Sequence, residues 1–132
     1  MSSAYQFGSL LEPISLEVTE EIIKRYGDVS GDHNPIHFDD NEAKKRGFSA
    51  KIIHGMLSMA IASKIVEPLL NDSFWIKQYN MKFIKPVFAG ERILVSGSVS
   101  LVQDGQVLIH VQVSSPTYPQ VAKGELCLQV YK

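Results

Sequence analysis

At 132 residues the chain has the length of one domain, read as 1–132, and enough of it to bury a single core. Its composition, 45% apolar and 20% charged, is ordinary for a globular protein, and a net charge of −1 with no long basic run argues against nucleic-acid binding. The lone cysteine, Cys127, excludes an intrachain disulfide and fits a reducing compartment.

The opening MSSAYQFGSLLEP has no basic region followed by an apolar stretch, so it does not read as a secretory signal. Ile14 to Val18 alternates apolar and polar residues as a short strand does. Thr19 is placed to cap a helix that starts Glu20-Glu21, with acids where the helix dipole favours them. Ile22, Ile23 and Tyr26 give that helix an apolar side, and Gly27 and Gly31 mark its end. Asn41 to Arg46 forms a short helical turn closed by Gly47.

The run KIIHGMLSMAIASKIVEPLL is apolar around most of a helix, which predicts a buried central helix of about 25 Å. Its apolar part, Met56 to Leu70, is too short and too interrupted to cross a bilayer, so a cytosolic protein is expected.

After Ser73 the period changes to two. Trp75, Tyr79, Met81 and Phe83 are predicted on one face of a strand, and Ile93, Val95, Val99 and Leu101 on one face of the next. Val107, Ile109, Val111 and Val113 follow, then Leu126, Leu128 and Val130. Cys127 in that last run reads as a buried small hydrophobe. Turn residues join the strands: Pro86 to Gly90, Asp104-Gly105, and Ser115-Pro116 with Pro119. Short links mean antiparallel neighbours, so the expected class is α+β, a curved antiparallel sheet around one helix. Open edge strands would be protected by pairing across a dimer.

The chemistry-bearing stretch is SGDHNPIHFDD, Ser30 to Asp40. Pro35 holds Asn34 extended, so Asp32 and His37 do not share a helix face, but a tight turn can bring them to one point. A carboxylate beside an imidazole suits proton transfer near neutral pH. Two other uses fit the same residues: a polar loop whose Asp and Asn satisfy their own backbone, or a metal site drawing on Asp32, His33, His37 and Asp39. Within IIHGM, Gly55 stands at the mouth of the central helix. Its bare N–H at a dipole terminus suits a carbonyl oxygen, although a glycine there also permits tight packing. His54 reads as a cap or packing residue, and His33, Asp39 and Asp40 as loop, capping or solvated groups. His110 lies between Ile109 and Val111 and should face away from the core.

G-D-H-N-P-I-H followed by I-I-H-G-M resembles the hydratase-2 motif of the MaoC-like, R-specific enoyl-CoA hydratases, and F-I-K-P-V-F-A-G resembles that family's strand-and-turn segment. The likeness runs from about Thr19 to the C-terminus. It implies a single hot-dog fold acting as a homodimer. It implies reversible hydration of trans-2-enoyl thioesters, on coenzyme A or acyl-carrier protein, to (R)-3-hydroxyacyl thioesters without a metal or redox cofactor. Carried onto this chain, Asp32 and His37 match the catalytic pair, and Gly55 the amide that holds the thioester oxygen. Ser63 matches a serine near the pair, and Asn34 the asparagine that shapes the loop. A hot-dog thioesterase and a non-catalytic acyl-thioester-binding module are the rival readings. The H-x-x-x-x-P-x-P-G pattern of another hot-dog branch is absent.

Overall fold

The structure is a computed structural model that describes residues 8–70 and 73–131. Strand β1 (Ile14–Glu17) leads into helix α1 (Glu20–Ser30), a 3-10 turn (Pro35–His37) and the short helix α2 (Asp40–Lys45). Helix α3 (Gly55–Ala62) and a 3-10 segment (Ser63–Leu69) form the centre. Strands β2 (Phe74–Phe83), β3 (Arg92–Gln103), β4 (Gln106–Ser114) and β5 (Ala122–Val130) follow. The five strands form one antiparallel sheet in the order β1-β3-β4-β5-β2.

The order follows from the turns. Asp104 (φ 53°) and Gly105 (φ 76°) are both left-handed, which gives the tight β3–β4 hairpin that Asp-Gly favours. The inner face of the sheet, with Ile93, Val95, Val99, Ile109, Val111, Leu126 and Leu128, closes over Leu57, Ile61, Ile65 and Val66 of the central segment. Burying each such side chain stabilises the fold by roughly 1.5–3 kcal/mol. This is the α+β hot-dog arrangement, with β1 and β2 as its two edges. Among the described residues no helix is long and apolar enough to cross a membrane.

Several expectations are corrected. The central helix is α-helical for only eight residues, about 12 Å, and then tightens to 3-10 geometry. Pro68 lies inside that segment and has no N–H to return to a carbonyl of the preceding turn. Trp75 does not share a face with Tyr79 and Met81, because the β2–β5 register shifts between Ile76 and Gln78. One extra residue inverts the alternation, so Phe74 and Ile76 point inward and Trp75 is 41% exposed. A second shift between Val99 and Leu101 turns Leu101 outward in the same way. Cys127 lies on the outer face between Leu126 and Leu128 and is half-buried, 3.8 Å from Gln106. His110 faces away from the core, as expected, beside Gln112.

Candidate active site

The site begins with α1. The Thr19 hydroxyl accepts the Ile22 N–H at 3.2 Å, and Gly31 ends the helix in the left-handed region at φ 79°. Gly27 does not end it but lies inside it, buried. A Cβ there would meet Phe38 Cζ at 2.8 Å and the Asp32 carbonyl at 3.3 Å, so the missing side chain lets the motif loop fold back on the helix.

The loop then builds itself from local bonds. Ser30 Oγ accepts the Asp32 N–H (3.1 Å), Asp32 Oδ1 the Asn34 N–H (3.1 Å), and Asn34 Oδ1 the Ile36 N–H (3.3 Å). These are the Asx-type turns that the sequence allows. They leave room for a reactive role, since Asp32 spends one oxygen on them and its other oxygen has no protein partner among the described residues. Asn34 is extended at φ −56°, ψ 125°, as the following proline requires, and Pro35 opens the turn that delivers His37.

His37 is 7% exposed, and its Nδ1–H donates to the Ile52 carbonyl at 2.8 Å. That bond fixes the tautomer and leaves the Nε2 lone pair free to accept a proton. Burial pushes the His37 pKa below its ordinary value. The bond to Ile52 opposes this, His54 adds to the lowering by repulsion, and the Asp32 carboxylate opposes it. A carboxylate oxygen of Asp32 and one ring nitrogen each of His37 and His54 all lie within 4.8 Å of one another.

His54 is therefore part of the cluster. It precedes α3 but makes no capping bond with its side chain. Its ring is 2% exposed and stacks on His37 at 3.8 Å and 27°. Its Nε2–H donates to the Asp32 carbonyl at 3.0 Å. Nothing in the spacing of the sequence pairs positions 32 and 54; the only signal was a histidine placed directly before the glycine at the helix mouth.

Gly55 is the first residue of α3, and its N–H has no hydrogen-bond partner among the described residues. It lines a cavity of about 290 Å³ with Ser58, Ile53, Phe83, Pro86 and Val87. His37 opens instead on a neighbouring cavity of about 210 Å³, with Phe38 and Lys51. Ile52 lines the first and holds His37, which lines the second, by its carbonyl.

Ser63 caps the far end of α3, about 12 Å along the axis from Gly55, and its hydroxyl donates to the Ala60 carbonyl at 2.7 Å. Within this chain no hydrogen bond among the described residues joins it to Asp32 or His37. The four residues named for a metal do not gather either. His33 turns to Asp28 at 3.3 Å, and Asp39 caps α2 by accepting the Asn41 N–H at 2.8 Å. Asp32, His37 and His54 offer ligand types, but an ion about 2 Å from each nitrogen must lie near both ring planes, and stacked rings do not aim their lone pairs at one point.

Known proteins are similar to this chain in sequence and in fold. The mitochondrial 3-hydroxyacyl-(acyl-carrier-protein) dehydratase of Arabidopsis thaliana is 37% identical over 76 residues, 58% of this chain and 45% of that protein. The 3-hydroxyacyl-thioester dehydratase X of Mycobacterium tuberculosis is 40% identical over 72 residues, 54% of this chain and 25% of that protein. The chain thus spans less than half the length of these curated relatives. The unliganded R-hydratase PhaJ1 of Pseudomonas aeruginosa superimposes with a TM-score of 0.84 at 25% identity, over 96% of this chain and 83% of that one. The MaoC like domain matches residues 7–118, most of the chain, and the protein belongs to that family.

Proposed function

We propose that this protein is an R-specific enoyl-thioester hydratase, which in reverse is a (R)-3-hydroxyacyl-thioester dehydratase. One observation carries the reading: the Asp32 carboxylate meets a buried imidazole, His37, whose ring stacks on His54, the residue directly before Gly55, whose N–H has no partner among the described residues.

Water is a poor nucleophile, and its addition to an enoyl thioester loads negative charge on the thioester oxygen. Asp32 and His37 hold one water between them. As its oxygen bonds to C3, the pair takes one proton, and the π electrons move toward C2 and the thioester oxygen. The pair then returns a proton to C2, so the net change is H and OH across the double bond. Such acid–base assistance is worth roughly 10² to 10⁴ in rate. The Gly55 N–H at the positive end of α3 stabilises the enolate-like oxygen, by about 3 kcal/mol for one well-placed donor. Addition of water transfers no electrons, so the step requires no redox cofactor.

The thioester is carried on coenzyme A or on acyl-carrier protein, and Asn34 keeps the loop in register. Ser63 is a substrate-binding residue in this reading, by its match to the family's serine near the pair. The working unit is a homodimer of single-domain chains. Its support is the ten-residue β2, whose outer edge pairs with no strand among the described residues, together with Met56 and Phe83, which are 59% and 47% exposed. The single cysteine supports a cytosolic setting.

Crotonyl-CoA tests the reading. Loss of enoyl absorbance without free thiol is the expected result. Thiol release would instead mean a thioesterase, and binding without turnover a carrier module.

A further inference from the structure

We infer that His54 is a positioning residue for the Asp32–His37 pair, which it holds through an N–H bond to one partner's backbone and a ring stack on the other. The consequence for turnover rests on the hydratase reading above; the geometry does not.

Three contacts carry the inference. The Nε2–H of His54 donates to the Asp32 carbonyl at 3.0 Å, 22 residues back in the chain. The ring stacks on His37 at 3.8 Å. Tyr26 of α1 closes the other side, edge-on at 4.8 Å. The remaining nitrogen, Nδ1, is buried with no hydrogen-bond partner among the described residues. A proton there would be a buried donor without an acceptor, a costly arrangement, so the ring is locked in its Nε2–H form with the donor aimed at Asp32. Buried polar atoms are seldom left unpaired, so this one calls for a reason, and the bond at the other nitrogen supplies it. Meanwhile the Ile52 carbonyl holds His37 at 2.8 Å. Residues 52 and 54 thus grip one catalytic side chain and the backbone of the other, and residue 55 supplies the amide. Three functions are registered to one short segment, so the water site keeps its geometry relative to the thioester oxygen.

Ring-nitrogen NMR of the wild-type protein at pH 7.5 tests the lock directly. The expected forms are Nε2–H for His54 and Nδ1–H for His37; an Nδ1–H form or an imidazolium at His54 overturns the inference. This measurement stands even if crotonyl-CoA is not turned over, a result that would remove the hydratase reading alone. Kinetics supply the second test. His54→Phe keeps the stack and removes the donor, and should lower kcat for crotonyl-CoA at least about tenfold with KM within about threefold. His54→Gln returns an N–H near the Nε2 position and should recover kcat to within about fivefold of wild type. Unchanged kcat in His54→Phe, a loss in KM alone, or a Gln variant more than about fivefold below wild type overturns the inference. Should His54→Phe not fold, the Gln variant and the tautomer decide.

Discussion

The Phe83 ring lies over Gly55: a methyl group built on Gly55 would meet the ring carbons at 3.5–3.6 Å, ordinary van der Waals contact. Alanine therefore fits at this position without moving backbone. It would nonetheless put a methyl group into the cavity beside the amide. Gly55→Ala should melt within a few degrees of wild type yet lose at least about tenfold in kcat/KM. Gly124→Ala is the contrast. Its Cβ would meet the Asn80 carbonyl oxygen at 2.2 Å, so it should destabilise the fold or prevent its formation. Calorimetry and kinetics on both variants check the pair.

Asp32→Asn and His37→Gln each remove one half of the proposed proton-transfer pair. Turnover of crotonyl-CoA should fall at least about 10²-fold in each, with circular dichroism unchanged. Asn keeps the oxygen that accepts the Asn34 N–H, so the loop survives the first change. Near-normal rates in both variants would remove the pair from the mechanism.

His37 has a pKa lowered from 6.5, chiefly by burial. Hydration needs its neutral form, so kcat/KM should be flat near pH 7 and fall only below 6.5. Stability follows the same window. Between the lowered native pKa and 6.5 the unfolded chain binds a proton on this group that the native state does not. Its contribution is therefore complete above 6.5 and is lost as the pH falls through that range. Denaturant melts of wild type and His37→Gln, taken from pH 7.5 downward, should differ less as the pH falls. Equal slopes against pH in the two proteins would contradict the assignment.

Much of this could be read along the chain, and the failures share a cause. Thr19, Gly31, Pro35 and Asp104-Gly105 act through bonds to residues within a few positions, and each behaves in the structure as its chemistry requires. The faces of β4 and β5 were legible because their alternation is unbroken. Trp75 and Leu101 were not, since a bulge is a property of two strands and leaves no mark on one. Within the site, the Asp32 and Asn34 turns are local, but the His37–Ile52 and His54–Asp32 bonds span 15 and 22 residues and exist only once α3 has docked.

The bulges have a measurable consequence. Leu101→Thr, on the outer face, should change stability by no more than about 0.5 kcal/mol. Ile109→Ala, opposite Val99 on the inner face, should cost about 2–5 kcal/mol. A large cost at Leu101 in urea titrations would mean that the register shift is wrong.

Stereochemistry tests the central claim most directly. In the proposed mechanism Asp32 and His37 approach the double bond from one side, so wild-type protein given crotonyl-CoA in D2O should add hydroxyl and deuteron to the same face and yield the (R)-3-hydroxy product labelled at C2. Chiral chromatography of the isolated product reads C3, and its proton NMR coupling constants then give the configuration of C2 relative to C3. Addition to opposite faces, or the S product, would contradict the account.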